Sequence, residues 1–348
     1  MSVYSIDPLQ DRRWEELIKA HASASIFHTV GWLEALHRTY RYKPVLFTTS
    51  PAGQALTNGI VFCRIKSYLT GSRLVSVPFA DHCCPLTRSS SELAELLIYL
   101  QRARQEEKYK YFELRALGCR AQEIEASLGL TNSQSFIYHE LDLRPDLETL
   151  FRGFHRSCVQ RKIRRAEQEA LSYQQGTADD LLAQFYRLLV LTRRRHGLPP
   201  QPLSWFRNLR DCLGIAFKVH VASRDCQPIA SILTLRHKDT VVYKYGCSDA
   251  RFHNLGAMPF LFWKMMVEAK APGLQFFDLG RSDREDQGLI TFKEHLGATR
   301  SDLNYYRFPA QFAATGNFRR TDSARKIFSH LPNSLLRAAG YLLYRHVG

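Results

Sequence analysis

Several features that would assign a protein to a class at once are missing from this chain of 348 residues. No window approaches the roughly 20 consecutive apolar residues that a membrane span requires. Residues 1–13 mix polar and charged side chains and lack the apolar core of a signal peptide. We therefore expect a cytoplasmic protein.

Paired cysteines are also missing. The eight cysteines are scattered without a C-x-x-C pair, so neither a zinc ribbon nor a redox dithiol is spelled out. The run Asp81-His82-Cys83-Cys84 contains ligand-type side chains, but adjacent ligands rarely close a tetrahedron without distant partners. We expect free, mostly buried thiols and no metal site.

Acidic residues are in short supply. The chain has 33 Asp and Glu against 48 Lys and Arg, which gives a formal net charge of +15. A field of this sign favours an anionic partner, such as a nucleic acid, a nucleotide-linked substrate, coenzyme A or an anionic bilayer surface. The basic residues are spread over several predicted helices and form no recognised nucleic-acid module, so DNA is not an expected partner.

What the sequence does contain is an order of predicted elements, α-β-β-β-α-β, that appears twice. The first set comprises residues 30–37, 43–49, 55–65, 73–77, 91–107 and 109–115. The second begins with helices at 178–196 and 203–212 and continues with 216–222, 229–237, 240–246, 257–269 and 274–279. A helix at 289–296 and a strand at 302–308 follow. Such a duplication predicts two similar α/β lobes with a cleft between them.

Two stretches in the second half form the most informative motif. FDLGRS occupies residues 277–282, and GLITFKEHLGA occupies residues 288–298. The first is a hydrophobic run that ends in a glycine and an arginine. The second predicts a helix that carries a lysine, so a strand edge and a cation are expected to lie close together.

These stretches resemble the signature of the FemAB family, transferases built from two GNAT-like lobes. The basic stretch at 156–171 is similar to that family's helix at the start of the second lobe, and residues 27–32 and 77–82 resemble its first-lobe signatures. The resemblance includes FemAB-like proteins encoded with bacterial exopolysaccharide and protein-sorting systems. It covers most of residues 25–310.

The resemblance implies an α/β (α+β) fold of tandem GNAT-like lobes, each a mixed, mainly antiparallel sheet with flanking helices. The first lobe would comprise residues 1–149 and the second 150–310, followed by an amphipathic tail at 311–348. It also implies an enzyme that transfers an acyl or aminoacyl group to an amine on a peptidoglycan or exopolysaccharide precursor of the cell envelope. The alternative is a non-catalytic GNAT-like scaffold that binds a polysaccharide or nucleotide-linked precursor.

The resemblance leaves two donor classes open, acyl-CoA and aminoacyl-tRNA, and implies no tightly bound cofactor. Members that use tRNA often carry a long coiled-coil insertion in the second lobe, and residues 160–215 are too short for one. A coenzyme A loop would open a helix, where backbone N–H groups receive the pyrophosphate. The matching place holds Arg251, Asn254, Gly256 and Ala257, with Asn254 where the first glycine belongs. An ordinary helix-initiating turn is the alternative.

Acyl transfer to an amine passes through a tetrahedral oxyanion, so the site needs a fixed cation or N–H donors at that point. Lys293 and Arg281 are the candidate cations, and in the family the lysine matching Lys293 lies by the reacting acyl end. Phe292 and Asp278 are expected to contact the substrate, with a bond from Asp278 to Arg281 as the alternative. In the family, an acidic residue near the place of Asp81 lies close to the acceptor amine. The alternative for Asp81 is turn capping.

A dense cationic run at helical spacing includes Arg161, Arg164 and Arg165. These side chains are expected to hold phosphates of tRNA, of a nucleotide-sugar or of a lipid-linked precursor. The alternative is a solvated helix between the lobes.

The tail alternates basic and apolar residues, and Pro332 divides it into two short amphipathic pieces. A basic amphipathic helix can lie on an anionic membrane. Residues 320–348 therefore predict a peripheral contact with the inner face of the cell membrane. Packing against the protein's own second lobe is the alternative.

Overall fold

In a computed structural model of the protein, residues 2–118, 124, 130–309 and 322–348 are described. Cys119 and residues 311–321 of the predicted tail lie outside this part of the chain. The chain divides into two compact units. Unit 1 comprises Met1–Phe136, Asp302–Asn317 and Leu342–Gly348, and unit 2 comprises Ile137–Ser301 and Phe318–Tyr341. The predicted lobe boundary between residues 149 and 150 stays a prediction.

Several helices begin at a side chain that satisfies a backbone donor of the first turn. Asp11, Thr29 and Ser89 each accept a hydrogen bond from an N–H two or three residues further on. The described α-helices are α1 Arg12–Ala20, α2 Val30–Tyr40, α3 Ser90–Glu106, α4 Leu147–Gly153, α5 Arg161–Gln168, α6 Asp179–Arg195, α7 Leu203–Leu213, α8 Ala257–Lys270, α9 Gln287–His295, α10 Asp322–His330 and α11 Asn333–Val347.

The strands are short in unit 1 and longer in the middle of unit 2. They are β1 Tyr4–Ile6, β2 Lys43–Thr48, β3 Ile60–Ser67, β4 Gly71–Val75, β5 Phe112–Leu117, β6 Thr131–Asp142, β7 Ser172–Gly176, β8 Phe217–Arg224, β9 Gln227–His237, β10 Thr240–Ser248, β11 Phe276–Asp283 and β12 Thr299–Phe308. Short 3₁₀ helices cover Ile26–His28, Gly214–Ala216 and Ala250–Leu255, and a π-helical turn covers Arg156–Gln160.

The sheet of unit 1 has the strand order β1-β2-β3-β4-β5-β12. Neighbouring strands are antiparallel except β4 and β5, which run parallel. The parallel pairing is short, because only Leu74 and Val75 are in register with β5. Four leucines of α3 are buried against these strands and form the core of the unit: Leu93, Leu96, Leu97 and Leu100.

The sheet of unit 2 has the order β6-β11-β10-β9-β8-β7. Strands β7 to β10 are antiparallel neighbours, and β11 runs parallel to β10. This parallel pairing also covers only a few residues, from Thr240 to Val242, and β10 then bulges at Lys244. Helix α8 is apolar on most of its surface and is buried through Phe260, Phe262 and other side chains in the core of the unit.

Both units thus repeat helix, three antiparallel strands, helix and a strand parallel to the third. The predicted order α-β-β-β-α-β and the mixed, mainly antiparallel sheets are confirmed. One strand was predicted too long: β3 begins at Ile60, whereas the sequence predicted a strand from residue 55. Asn58 accounts for the late start, because its side chain accepts from the N–H of Thr49 and donates to that residue's hydroxyl. Such side-chain bonds compete with a strand ladder.

The tail forms two helices separated at Pro332, as predicted. Within unit 2, a Cβ on Gly197 would lie only 2.4 Å from the carbonyl oxygen of Arg325. A Cβ on Gly340 would lie 1.9 Å from the carbonyl oxygen of Pro200, so both glycines are in close contact with backbone. These contacts favour the alternative in which the tail packs against the protein itself. None of the described helices has the length and apolar character that a membrane crossing needs.

Candidate active site

The predicted strand edge and lysine do meet in unit 2. The Nζ of Lys293 donates to the carbonyl oxygens of Gly280 and Arg281, at 2.9 and 3.1 Å. Asp286 caps α9 by accepting from the N–H of Leu289, which starts the helix so that Lys293 is turned inward. Lys293 is only 2% exposed, so its ammonium group is a buried and fixed cation.

The strand itself differs from its prediction. β11 does not end before Gly280 but continues to Asp283. Gly280 has φ +68°, a left-handed conformation that disfavours side chains. The N–H of Gly280 donates to Oδ1 of Asp278 at 2.7 Å, while its carbonyl accepts from Lys293. Asp278 and Lys293 are therefore hydrogen-bonded to the N–H and the carbonyl of the same glycine.

Asp278 is buried, in agreement with its place on the inner side of β11. Tyr138 on β6 is buried near it and donates its hydroxyl to Glu140 at 3.3 Å. Burial raises the pKa of Tyr138, and the nearby carboxylates of Asp278 and Glu140 raise it further. Tyr138 therefore stays a neutral hydrogen-bond donor at neutral pH.

A buried histidine beside this group was not anticipated from the sequence. His139 is fully buried on β6, and neither of its ring nitrogens has a hydrogen-bond partner. Burial lowers its pKa to about 4, and the charge of Lys293 contributes to that shift. The imidazole is therefore neutral at pH 7 and adds no second positive charge. No local pattern marks it, because it depends on β6 lying next to β11.

The remaining predicted residues of this motif have mixed surroundings. Phe292 is half-buried and packs edge-on against Phe262 of α8, with ring centroids 5.4 Å apart. Arg281 is half-buried and supplies a carbonyl oxygen to Lys293. The motif thus brings Asp278, Arg281 and Lys293 together, while Phe292 has a packing contact. The role of Phe292 in substrate binding stays a prediction.

Asp81 lies in unit 1, in the segment that follows β4. It is half-buried, and its backbone carbonyl accepts a hydrogen bond from the hydroxyl of Tyr305 at 2.7 Å. Burial lowers the pKa of the Arg115 guanidinium, but the charges of Tyr305 and Glu113 raise it above its usual value. The charge of Asp81 adds a smaller contribution in the same direction. The assignment of Asp81 to the acceptor amine stays a prediction.

The cationic run forms a helix with the expected faces. Ile163 is buried on the inner side of α5, whereas Arg161, Arg164 and Arg165 are exposed. Arg165 pairs with Glu169 at 2.5 Å, and the guanidinium of Arg164 lies 5.7 Å from the ring centre of Phe151. Exposed arginines of this kind suit either phosphate contact or solvation, so their substrate role stays a prediction.

The coenzyme A loop does not have the geometry expected of a pyrophosphate cradle. Gly256 has φ +75°, but a Cβ there would lie 2.2 Å from the carbonyl oxygen of Lys162, so α5 fills the space beside it. Among the first N–H groups, that of Gly256 points to His253 and Pro259 has none. This geometry does not favour a pyrophosphate at the loop.

The side chains of that loop are engaged or exposed. Arg251 is paired with Asp249 at 2.6 Å, and Asp249 also caps the 3₁₀ turn. Asn254 is exposed and Ala257 is buried. The assignment of Arg251, Asn254, Gly256 and Ala257 to a cofactor stays a prediction that this geometry does not favour.

A cavity of about 410 Å³ lies in unit 2. It is lined by polar residues that include Glu140, Arg144 and Thr149, and by Phe276. None of the residues predicted to bind substrate or donor lines it. Its volume is that of a small-molecule pocket.

The comparisons with known proteins agree with this architecture. Residues 153–293 match the model of the acetyltransferase (GNAT) domain. Three solved structures cover nearly the whole fold. FemX has a TM-score of 0.69 at 14% identity over 87% of this chain and 97% of its own. A tandem GNAT protein from the clavulanic acid biosynthesis pathway gives 0.57 at 13% over 88% and 98%. L-PGS from Bacillus licheniformis gives 0.54 at 11% over 95% and 97%.

No curated protein matches the sequence. Identities of this size show a shared fold, so the predicted tandem GNAT-like lobes and the FemAB-like resemblance are confirmed at that level. The GNAT domain match includes residues 277–282, ends at Lys293 and supports the predicted transferase class.

Proposed function

We propose that this two-lobed chain is an N-acyltransferase or aminoacyltransferase that acts on an amine of a cell-envelope precursor. The observation that carries the proposal is the buried ammonium group of Lys293, fixed on the carbonyls of Gly280 and Arg281 within the GNAT domain. A fixed cation at low dielectric stabilises the oxyanion of an acyl-transfer intermediate without reorganisation. In this proposal Lys293 acts electrostatically and not as the nucleophile.

The acceptor class rests on the architecture that the chain shares with FemX and L-PGS. The net charge of +15 and the exposed arginines of α5 support an acceptor or donor that carries phosphates. The unfavourable geometry beside Gly256 weighs against acyl-CoA held in the usual way, and the short α6 of 17 residues offers no long coiled coil for tRNA. Both donor classes therefore enter the test.

We also propose a peripheral contact of the tail with an anionic membrane. Helix α10 and the first part of α11 belong to unit 2, yet Ile327, Leu335 and Tyr341 remain 61, 55 and 65% exposed. Arg325 and Lys326 adjoin them and are exposed as well. Apolar and basic side chains in this combination suit the headgroup region of a bilayer.

The test of the enzymatic proposal measures donor turnover by the full chain. Acetyl-CoA and alanyl-tRNA are supplied in parallel, with and without a UDP-linked muramoyl pentapeptide as the amine acceptor. We expect turnover with one donor and a decrease of about 100- to 1,000-fold in Lys293→Met, since methionine keeps the length of the side chain but not its charge.

The matched control is Lys264→Met, which removes a half-buried lysine of α8 whose ammonium lies 5.2 Å from the ring centre of Phe260. This variant should keep its activity. Absence of turnover with both donors would favour the scaffold alternative. Equal turnover in the folded Lys293→Met protein would instead contradict the electrostatic role proposed for Lys293.

A further inference from the structure

Three potential metal ligands meet where the end of α9 touches the segment before α5. The N–H of His155 donates to the carbonyl oxygen of His295 at 2.8 Å, which ties the two backbones together. The two imidazole rings lie face to face at an angle of 32°, with centroids 4.1 Å apart. Cys158 is placed beside them by the π-helical turn that begins at Arg156. Two histidines and a cysteine from separate segments thus share one location.

The ligand atoms are close enough for a single ion. His155, Cys158 and His295 each offer one nitrogen or sulfur atom, and these atoms all lie within 4.8 Å of one another. Tetrahedral zinc with bonds of about 2.1 Å to nitrogen and 2.3 Å to sulfur places its ligands about 3.5 Å apart. A side-chain movement of about 1 Å closes the difference, and His155 is exposed and able to make it.

Hydrogen bonds hold the ring of His155 next to Cys158. Its Nδ1 accepts from the N–H of Cys158 at 3.2 Å and lies 3.4 Å from the hydroxyl of Ser157. An imidazole nitrogen has one electron pair in the ring plane, so an ion bound at Nδ1 replaces the hydrogen bond from the N–H of Cys158. The same hydroxyl lies 3.8 Å from Sγ of Cys158. The ring of His155 and the sulfur of Cys158 are thus neighbours at the start of this turn.

We propose that His155, Cys158 and His295 bind one zinc ion. Imidazole and thiolate together suit zinc, whereas calcium and magnesium prefer oxygen ligands. Binding releases the thiol proton, so Zn²⁺ and the thiolate leave a net charge of +1 in the three-ligand site. Water fills the fourth position. The ion joins His295, two residues beyond Lys293 at the end of α9, to the segment that leads into α5.

The sequence contains the signal for this site only in part. His155 and Cys158 have the H-x-x-C spacing of neighbouring zinc ligands, but a pair is not a site without a distant partner. The third ligand comes from the helix of the acyl-transfer motif, 137 residues after Cys158 (295 − 158 = 137). Only the fold brings it near. The expectation of no metal site is therefore replaced by this proposal.

Cobalt(II) is the probe, because its absorption reports thiolate ligation. The full chain, freed of metals by chelation, is titrated with Co²⁺ and then with Zn²⁺ as competitor. We expect one equivalent of Co²⁺ with a thiolate-to-cobalt charge-transfer band that zinc abolishes. In Cys158→Ser the band should disappear, and His155→Ala and His295→Gln should weaken Co²⁺ binding by about 100-fold.

Cys212→Ser is the matched control, since Cys212 is another half-buried thiol of unit 2. It should leave the band and the affinity unchanged. A band that survives in Cys158→Ser, or no band in the original protein at saturating Co²⁺, overturns the proposal. The readout is spectroscopic, so it is independent of whether the protein transfers acyl groups.

A second measurement needs no variant and so avoids any loss of folding. The original protein is alkylated with iodoacetamide with and without one equivalent of Zn²⁺, and each cysteine is followed by mass spectrometry. Zinc should protect Cys158 at least about tenfold and leave Cys212 and the exposed Cys226 unaffected. Equal labelling of Cys158 under both conditions contradicts the site.

Discussion

The Nζ of Lys293 lies 2.9 Å from the carbonyl oxygen of Gly280, so the candidate catalytic cation is also a structural donor. The glycine has a left-handed φ of +68°, and its buried carbonyl accepts from this ammonium group. Charge and local structure are therefore coupled at this point. A variant that removes the ammonium group changes both, and its stability has to be known before its activity is interpreted.

Lys293→Met should destabilise unit 2. The carbonyls of Gly280 and Arg281 lose a shared donor in a buried place, which costs about 1 to 3 kcal/mol in the free energy of unfolding. Part of this cost is offset because a charge no longer has to be buried. Urea unfolding measures it. A stability equal to that of the original protein would show that the two contacts contribute little.

Gly256→Ala should destabilise the protein more than a left-handed conformation alone explains. A Cβ at Gly256 would lie 2.2 Å from the carbonyl oxygen of Lys162, so α5 and α8 must move apart. Gly273 has almost the same φ, +73° against +75°, with nothing within 4 Å of its Cβ position. Gly273→Ala is therefore the control and should cost about 1 kcal/mol. We expect Gly256→Ala to cost about 3 kcal/mol or more.

Equal costs in urea unfolding of the two variants would mean that the carbonyl of Lys162 does not press on Gly256. The space beside the glycine would then be open, and the coenzyme A loop would fit better than its geometry indicates.

The elements of the fold that could be predicted from sequence are those with strong apolar periodicity. Helices α6 and α8 were predicted to within one residue at each end, because their buried side chains recur at helical spacing. Strand β7 was missed, since Ser-Tyr-Gln-Gln-Gly has no apolar alternation and forms a strand only by pairing with β8. Tertiary pairing overrides local propensity there.

Only contacts between residues that are close in sequence could be predicted for the candidate site. The contact of Lys293 with the strand at Gly280 follows from a short connection between them, which the motif shows directly. The position of His139 beside Lys293 could not be anticipated, because His139 reaches the site from a strand distant in sequence. Contacts of this kind depend on strand order and helix packing, which single-sequence patterns do not encode.

His139→Leu should make the stability less dependent on acid pH. Burial lowers the pKa of His139 to about 4, with Lys293 contributing, from a usual value of 6.5. As the pH falls below 6.5 the unfolded chain takes up a proton that the folded protein refuses, so stability is lost until about pH 4. The loss amounts to about 3 kcal/mol. Leucine takes up no proton, so His139→Leu does not lose this stability.

The measurement is the free energy of unfolding at pH 7, 5.5 and 4 for both proteins. Leucine also removes two buried nitrogens without partners, so His139→Leu should be at least as stable at pH 7. The difference in its favour should grow toward pH 4. Parallel curves for the two proteins would contradict the depressed pKa.

Glu113→Gln should strongly destabilise unit 1. Glu113 is 2% exposed and bonds two guanidinium groups, that of Arg307 at 2.6 Å and that of Arg115 at 2.9 Å. Removing its charge leaves both arginines uncompensated, at a cost of about 3 to 5 kcal/mol. The control is Glu34→Gln, whose pair with Arg38 is exposed and is worth about 0.5 kcal/mol. Similar losses for the two variants in urea unfolding would contradict the buried network.

Binding to anionic vesicles should depend on the exposed apolar residues of the tail. Replacing both Ile327 and Leu335 by serine keeps every positive charge and removes two apolar side chains that are more than half exposed. Each is worth about 1.5 kcal/mol when buried in lipid, so the double variant should bind about 100-fold more weakly. Sedimentation with vesicles of phosphatidylglycerol and phosphatidylcholine measures this.

The vesicle experiment has a control that separates the tail from general stickiness. Ile215 is 98% exposed in unit 2 but lies outside the tail, so Ile215→Ser should bind vesicles as the original protein does. Pure phosphatidylcholine should bind little, since the basic residues then lack anionic partners. If the original protein ignores anionic vesicles at low salt, or if Ile215→Ser weakens binding as much as the double variant, the tail is not the membrane contact. The tail would then be a packing element, as the contact of Gly340 with Pro200 in unit 2 indicates.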